Sequence, residues 1–194
     1  MTQPDSLRAL QIHFPFLQDK SLNLLGEISK VISLPIKDHW TLLTQAEAKI
    51  GFVLSGILRG YYVDEAGHEH TIIIRKDGQS IGTPSVLQAD YDKEYRYQAL
   101  GASIVLEFNA VALWELSRMK PDIHQMVMQC LFENILTLLT RVESLVAMKP
   151  RERYQQIWQQ QMDLFRLSPQ KFIAEYIGIT PVSLSRMHTE VNPR

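Results

Sequence analysis

Residues 169–191 read PQKFIAEYIGITPVSLSRMHTEV, and their spacing decides how the C-terminal part of the chain folds. With Gln170 taken as the first position, Ala174 is the fifth and Gly178 the ninth. Ile173, Ile177, Ile179, Leu184 and Met187 place apolar side chains at the fourth, eighth, tenth, fifteenth and eighteenth. A small residue at the fifth lets a second helix cross closely, and a glycine at the ninth takes the left-handed conformation of the turn. The apolar set joins the two helices. Ser168-Pro169 and Thr180-Pro181 each predict a helix start, a hydroxyl cap followed by a first-turn proline. The pattern is that of a helix-turn-helix; a helical hairpin used only for packing is the alternative.

Such a motif reads DNA by laying its second helix, residues 181–190, in the major groove. Ser183 and Arg186 are three apart and share a face. An arginine can make two hydrogen bonds to guanine, worth about 1–3 kcal/mol of discrimination. Thr180 and the amides at the helix start suit a phosphate. Lys171 on the first helix is placed for the DNA backbone, and Ser185 and His188 either point outward or meet phosphate.

Upstream, Lys149-Pro150 ends one helix, and residues 151–165 begin another with Tyr154, Ile157, Trp158, Met162 and Phe165. Residues 122–148 contain no Gly or Pro and read as one long amphipathic helix. Met128, Leu131, Ile135, Leu138, Val142 and Leu145 form a seam with coiled-coil spacing. Phe132, Leu136, Leu139 and Val146 form a second apolar stripe. Two stripes imply two covered surfaces, the chain's own β-region and a second copy; a helix buried wholly within a monomer is the alternative. A short helix begins at Asn109, with Asn109 as its cap.

Seven of the nine glycines fall within residues 51–101, among the β-prone runs 50–54, 60–63, 71–74 and 103–106. Asp64-Glu65-Ala66-Gly67 is a hairpin turn signal. Short strands spaced by glycine turns predict a small sandwich or barrel over residues 30–108. Residues 16–32 read as helical, and Ile32 to Leu43 as the first strands.

The 194 residues are 45% hydrophobic and 21% charged, an ordinary globular composition. One cysteine, Cys130, excludes an intrachain disulfide, a multi-cysteine zinc site and a cysteine-held iron–sulfur cluster; it reads as a core thiol. The N-terminus lacks signal-peptide character, and no run approaches about 18 apolar residues, so a soluble cytoplasmic protein with no membrane partner is expected. Residues 149–194 carry 7 basic and 4 acidic side chains, whereas residues 1–110 carry 10 and 13, so the positive charge sits at the C-terminal end. No nucleophile elbow, phosphate loop or paired-histidine motif suggests an enzyme. Asp90, Asp92 and Glu94 read as an exposed acidic loop, and His68 and His70 as turn histidines rather than ligands.

The order of barrel, long helix and helix-turn-helix resembles the Crp/Fnr family of bacterial transcription regulators. The resemblance rests on residues 52–59, 63–69, 151–154 and 173–181, with Leu184-Ser185-Arg186. It implies an α+β fold: an N-terminal double-stranded β-helix or jelly-roll barrel, a long dimerisation helix, and a C-terminal helical helix-turn-helix domain. It divides the chain into an effector unit (1–120), a dimerisation helix (121–148) and a DNA-binding unit (149–194). It further implies a homodimer on palindromic double-stranded DNA, an unknown small-molecule effector and RNA polymerase as a partner; with Cys130 and the turn histidines matching the family's redox and gas sensors poorly, no cofactor and no metal are expected. In cyclic-nucleotide-binding members a Gly-Glu pair holds the ribose and an arginine holds the phosphate. Here Gly82 is followed by Thr83, and Lys93 falls at the arginine position, with Arg96 three residues out of register. Gly82, Thr83 and Lys93 are therefore the ligand-site candidates, and cyclic AMP is not expected to bind. Val182 stands where many members have a base-reading Glu, and no wing hairpin is expected after the recognition helix, so DNA shape is expected to contribute to specificity. A dimeric ligand-sensing or protein-interaction module without specific DNA binding is the competing class.

Overall fold

The glycine-punctuated strands pair into two antiparallel sheets that face each other. In a computed structural model, residues 2–41, 43–44, 47–82 and 95–191 are described, with the side chains of 41, 43, 44, 47 and 191 left out. Helices α1 (Gln3–His13) and α2 (Asp19–Glu27) precede β1 (Ser29–Leu34), β2 (His39–Thr41), β3 (Leu43–Thr44), β4 (Glu47–Ser55), β5 (Ile57–Val63), β6 (Glu69–Lys76), β7 (Ser80–Ile81), β8 (Tyr95–Ala99) and β9 (Ser103–Asn109). The first sheet runs β1-β9-β4-β3, with β7 also on β4, and the second runs β2-β8-β5-β6. This is a jelly roll, the form of the predicted sandwich or barrel that the family resemblance implies.

Apolar residues of alternate register fill the space between the sheets: Leu34, Trp40, Val53, Leu58, Ile73, Ile81, Tyr97 and Val105 are all buried. Trp40 Nε1 donates to Glu107 Oε2 at 2.7 Å, and Lys30 and Lys49 approach the same carboxylate at 3.1 and 3.5 Å. The polar end of the indole is thereby satisfied inside the barrel. Gly56, between β4 and β5, has φ +106 and lies so close to β9 that a Cβ would fall 2.6 Å from Ser103 Cα.

The outer face of the first sheet is capped by helices. Leu10, Phe14, Leu22 and Leu25 from α1 and α2 pack with Phe52, Leu106 and Phe108, and with Leu113 of α3 (Ala110–Met119) and Ile123 and Met126 of α4 (Pro121–Ala147). The sequence reading missed α1. Thr2 caps it in a reciprocal pair with Asp5, a signal too local to stand out beside a weakly periodic helix. The helix expected over 16–32 is shorter, because β1 pairs with β9 from Ser29 onward. Asn109 caps α3, its side-chain oxygen accepting from Ala112 N at 2.9 Å. Asp122 in the first turn of α4 accepts from Gln18 N at 3.0 Å and Ser21 Oγ at 2.9 Å, which ties α2 to α4.

The two apolar stripes of α4 do not divide as expected. Both are exposed: Leu131, Ile135, Leu138, Val142 and Leu145 of the seam, and Phe132, Leu136, Leu139 and Val146 of the second stripe. Beyond its first turns, the face toward the barrel is polar, with Glu133 and Asn134 meeting Arg75, a fully buried residue of β6. A buried guanidinium selects acceptors rather than leucines.

The helix expected over 151–165 is two, α5 (Pro150–Gln160) and α6 (Met162–Leu167), broken at Gln161. The break turns Phe165 back onto Trp158, with ring centroids 4.9 Å apart. The Ser168 hydroxyl does not cap the next helix; it is buried with no hydrogen-bond partner among the described residues.

Candidate nucleic-acid interface

Helices α7 (Gln170–Ile177) and α8 (Pro181–Val191) form the helix-turn-helix. Gly178 adopts φ 74 and ψ 43, and Ile179 N returns to Ala174 O at 2.9 Å, closing the turn. A Cβ on Gly178 would lie 2.9 Å from Leu145 Cδ2 of α4, so the turn is also where the motif meets the long helix. Ile173, Ala174, Ile177 and Leu184 are buried together with Tyr154 and Leu164.

At the start of α8, Thr180 Oγ1 accepts from Ser183 N at 3.2 Å, and the two hydroxyls lie 3.0 Å apart. Thr180 therefore acts as the predicted cap, and Ser183 is half-buried and turned back toward it rather than freely presented. Thr180, Ser185 and Arg186 are exposed, and Val182 on the same side is 62% exposed. Lys171 is exposed on α7, 3.9 Å from Glu175 Oε1. His188 points inward: its Nδ1 lies 3.0 Å from the Tyr154 hydroxyl, and its ring meets Trp158 at 5.0 Å. Of the side chains weighed for DNA, Thr180, Ser185, Arg186 and Lys171 share open surface, Ser183 is partly withdrawn, and His188 belongs to the aromatic core of the unit.

Two arginines that sequence reasoning did not single out position this unit. Arg153 donates from Nε to Ile177 O at 2.8 Å, from Nη1 to Met148 O at 2.8 Å and from Nη2 to Gly178 O at 3.1 Å. Arg141 of α4 donates to Tyr176 O and stacks on the Tyr176 ring at 4.4 Å. Cations at the C-terminal ends of α4 and α7 satisfy carbonyls that the helices leave open and complement their dipoles. Burial pulls the Arg141 guanidinium below its ordinary value. The sequence signals were a lone arginine inside an apolar helix for Arg141 and, for Arg153, its place in the 151–154 stretch that carries the resemblance.

In the barrel, the Tyr97 hydroxyl donates to Gly82 O at 3.1 Å and accepts from Gly82 N at 3.3 Å. Tyr97 is buried, and that burial pushes its phenol up.

No family profile and no curated protein matches the sequence. Solved structures do. FixK2 from Bradyrhizobium japonicum superposes with a TM-score of 0.68 at 14% identity, over 84% of each chain. A CooA variant from Carboxydothermus hydrogenoformans gives 0.65 at 20% identity, over 87% of this chain and 78% of that one. A protein assigned to the Crp/Fnr regulators, from Eubacterium rectale, gives 0.68 at 12% identity, over 93% and 88%. The chain has the Crp/Fnr fold.

Of the three ligand candidates read from the sequence, Gly82 lies among the described residues. Its backbone N–H and C=O both hydrogen-bond the Tyr97 hydroxyl. Thr83 and Lys93, the other two ligand candidates, lie outside the described residues, as do Asp90, Asp92 and Glu94. Arg96 stands on β8 in register with Tyr61 of β5. The histidines of the β5–β6 hairpin make local contacts. His70 Nε2 lies 2.7 Å from Asp64 Oδ2 and its ring stacks on Tyr62, while His68 Nδ1 is 3.5 Å from the same oxygen. Hydrogen bonds from His70 and the His68 amide hold the Asp64 carboxyl down at about 2. Among the described residues no group of three His, Cys, Asp or Glu is placed to hold a metal ion. Burial pushes the Cys130 thiol up to about 11, as suits a packed rather than a reactive sulfur. No described helix is long and apolar enough to cross a membrane.

Proposed function

We propose that this protein is a DNA-binding transcription regulator of the Crp/Fnr type, not an enzyme, and that it acts in the cytoplasm as a homodimer on a palindromic operator. The observation that carries the reading is the outward face of α8, where Arg186, Ser185 and Thr180 stand exposed on a helix whose opposite face is buried. Such a face admits a major groove and offers a guanidinium to a guanine edge. Lys171, on the preceding helix, suits a phosphate.

The homodimer rests on α4. Its exposed apolar residues run from Leu131 to Val146 over about half the circumference, more than a soluble monomer leaves open. A second copy of the same helix, crossing as a coiled coil, covers the seam. Dimer symmetry then places two α8 helices about one DNA turn, roughly 34 Å, apart. In this reading residues 1–120 form the effector unit, 121–148 the dimerisation helix and 149–194 the DNA-binding unit. Cyclic AMP is not the effector in this reading, because Thr83 and Lys93 stand where cyclic-nucleotide-binding members carry a glutamate and an arginine. A different small molecule, or contact with RNA polymerase, shifts the units about the Met148–Pro150 link.

The test is selection from a random DNA library at fixed salt, with wild type and Arg186→Ala side by side. The expected result is an inverted repeat enriched by wild type and lost or relaxed in the variant. Weak, salt-sensitive binding shared by both proteins would overturn it and favour the competing reading, a dimeric protein-interaction module. The bare Val182 on the outer face of α8 is the observation that keeps that second reading in play.

A further inference from the structure

The helix-turn-helix is held to its own barrel as well as to the long helix, and the contact is built around a buried charge. Arg59 of β5 is only 1% exposed. Its Nε donates to Gln98 Oε1 at 2.9 Å, Nη1 reaches Thr71 Oγ1 at 3.4 Å, and Nη2 donates to the Glu69 carboxylate. The guanidinium lies 4.3 Å from the Tyr61 ring and 3.6 Å from the ring of Phe172, which belongs to α7. Glu175, one turn along α7, completes the cluster. Its Oε2 accepts from Thr71 Oγ1 at 2.8 Å and stands 4.0 Å from Arg59 Nη1, while Lys171 approaches its Oε1 at 3.9 Å. Around these polar groups, Ile57, Ile74 and Leu100 of the barrel side pack with Tyr154, Ile173, Tyr176 and Ile177. Arg141 adds a weaker tie, its Nη2 3.4 Å from Thr71 O.

We propose that Arg59 and Glu175 form a latch that fixes the helix-turn-helix against β5 and β6 of the same chain, and so sets the orientation in which α8 is presented. Without the latch, the remaining ties are the Met148–Pro150 link, the two arginines on the α7 carbonyls, the Arg141–Thr71 contact and the non-directional apolar packing of Ile57, Ile74 and Leu100. With it, Arg59 gains a second aromatic face from Phe172 and a second carboxylate from Glu175, while Glu69, Gln98 and Tyr61 of the barrel hold it whether or not α7 is docked. Undocking strips Arg59 of Phe172 and of the Glu175 carboxylate in one step. A charge that loses partners while still half-enclosed by a barrel is costly, so the docked orientation is a defined state rather than one of many. Arg59 and Glu175 are positioning residues: neither belongs to the exposed face of α8. The consequence for operators rests on the DNA-reading function proposed above; the latch itself does not.

The test uses the full chain and two variants, Arg59→Gln and Glu175→Ala, with Glu175→Gln as the conservative control that keeps an acceptor for Thr71. Amide exchange is followed in α7 and β6, with β9 as the internal reference for folding. The expected result is a loss of α7 protection of about tenfold or more in Arg59→Gln and Glu175→Ala, with β9 unchanged and Glu175→Gln closer to wild type. If Arg59→Gln does not fold, Glu175→Ala decides alone, since its site is at the edge of the contact. Protection of α7 equal to wild type in a folded Glu175→Ala overturns the latch. In parallel, libraries of two half-sites with a variable spacer are offered to wild type and Glu175→Ala. Wild type is expected to prefer one spacing and the variant to accept several with the same half-sites; an unchanged spacing preference overturns the orienting role. If wild type selects no DNA, the DNA reading fails while the exchange result still judges the latch.

Discussion

Replacing Arg75 by methionine tests how α4 is held to the barrel. Arg75 is fully buried and donates from Nη1 to both Glu133 oxygens, at 2.9 and 3.0 Å, and from Nη2 to Asn134 Oδ1. Removing one partner of a buried ion pair costs about 3–5 kcal/mol when the other charge is stranded. Glu133 is not fully stranded: its side chain is 37% exposed, and Gln79 Nε2 and Thr137 Oγ1 continue to donate to Oε1 at 2.9 and 3.0 Å. Methionine also fills much of the arginine volume, and Arg75 Nε has no hydrogen-bond partner among the described residues to lose. The expected loss is therefore about 2 kcal/mol, at the lower end. For a chain of this size that is a Tm lower by roughly 4–8 °C. The assay is thermal unfolding at one fixed protein concentration, because any dimer couples Tm to concentration. Arg75→Met with Glu133→Leu should recover to within about 1 kcal/mol of wild type, since an apolar pair replaces the ionic one without a leftover charge. An Arg75→Met protein that melts with wild type, or a double variant worse than the single, would refute the claim that charge organises this interface.

Three further outcomes follow from local geometry. Gly56→Ala should abolish or severely reduce folded protein, by about 3 kcal/mol or more, because the left-handed backbone and the Ser103 backbone 2.6 Å away leave a Cβ no room; circular dichroism and expression of soluble protein check it. Cys130, with its thiol held up at about 11 by burial, should react with iodoacetamide at pH 8 at least about tenfold more slowly than the same thiol in denaturant, and equal rates would count against its packing. Asp64 should titrate near 2 by NMR; a carboxyl whose pKa is lowered on folding stabilises above its ordinary value near 3.8, and that contribution is lost as pH falls toward 2. Asp64→Asn should remove this acid dependence from the hairpin while leaving the barrel folded.

Where the sequence reading succeeded, the signal was local. The turn at Gly178, the cap at Thr180, the proline start of α4 and the hairpin at Asp64–Gly67 depend on backbone conformations that a few adjacent residues dictate. The failures lie where side-chain contacts, near or distant in sequence, override what spacing and propensity suggest. The stripes of α4 were placed correctly on the helix, but neither meets the barrel as expected for one of them, because periodicity gives an apolar face and not what meets it. Gln161 breaks a helix that local propensity continues, since Phe165 is drawn onto Trp158. Ser183 and Arg186 share a face by spacing, yet only one is fully presented, because the Ser183 hydroxyl is drawn back to the cap.

By itself, then, the sequence determined the order of a small β barrel or sandwich, a long helix and a helix-turn-helix, and the apolar positions of the long helix and of the helix-turn-helix. Those are consequences of residue type at fixed periods, and they need no knowledge of neighbours. The tertiary structure alone decided that α4 meets the barrel with a polar face and leaves both apolar stripes bare, that Tyr97 closes on Gly82, and that Arg59 of β5 is clamped between Tyr61 and Phe172. Arg59 and Glu175 are 116 residues apart in sequence and 4.0 Å apart in space. Pairings at that separation depend on how two sheets and four helices stack, and a buried charge finds its counter-ion only once that stacking is complete.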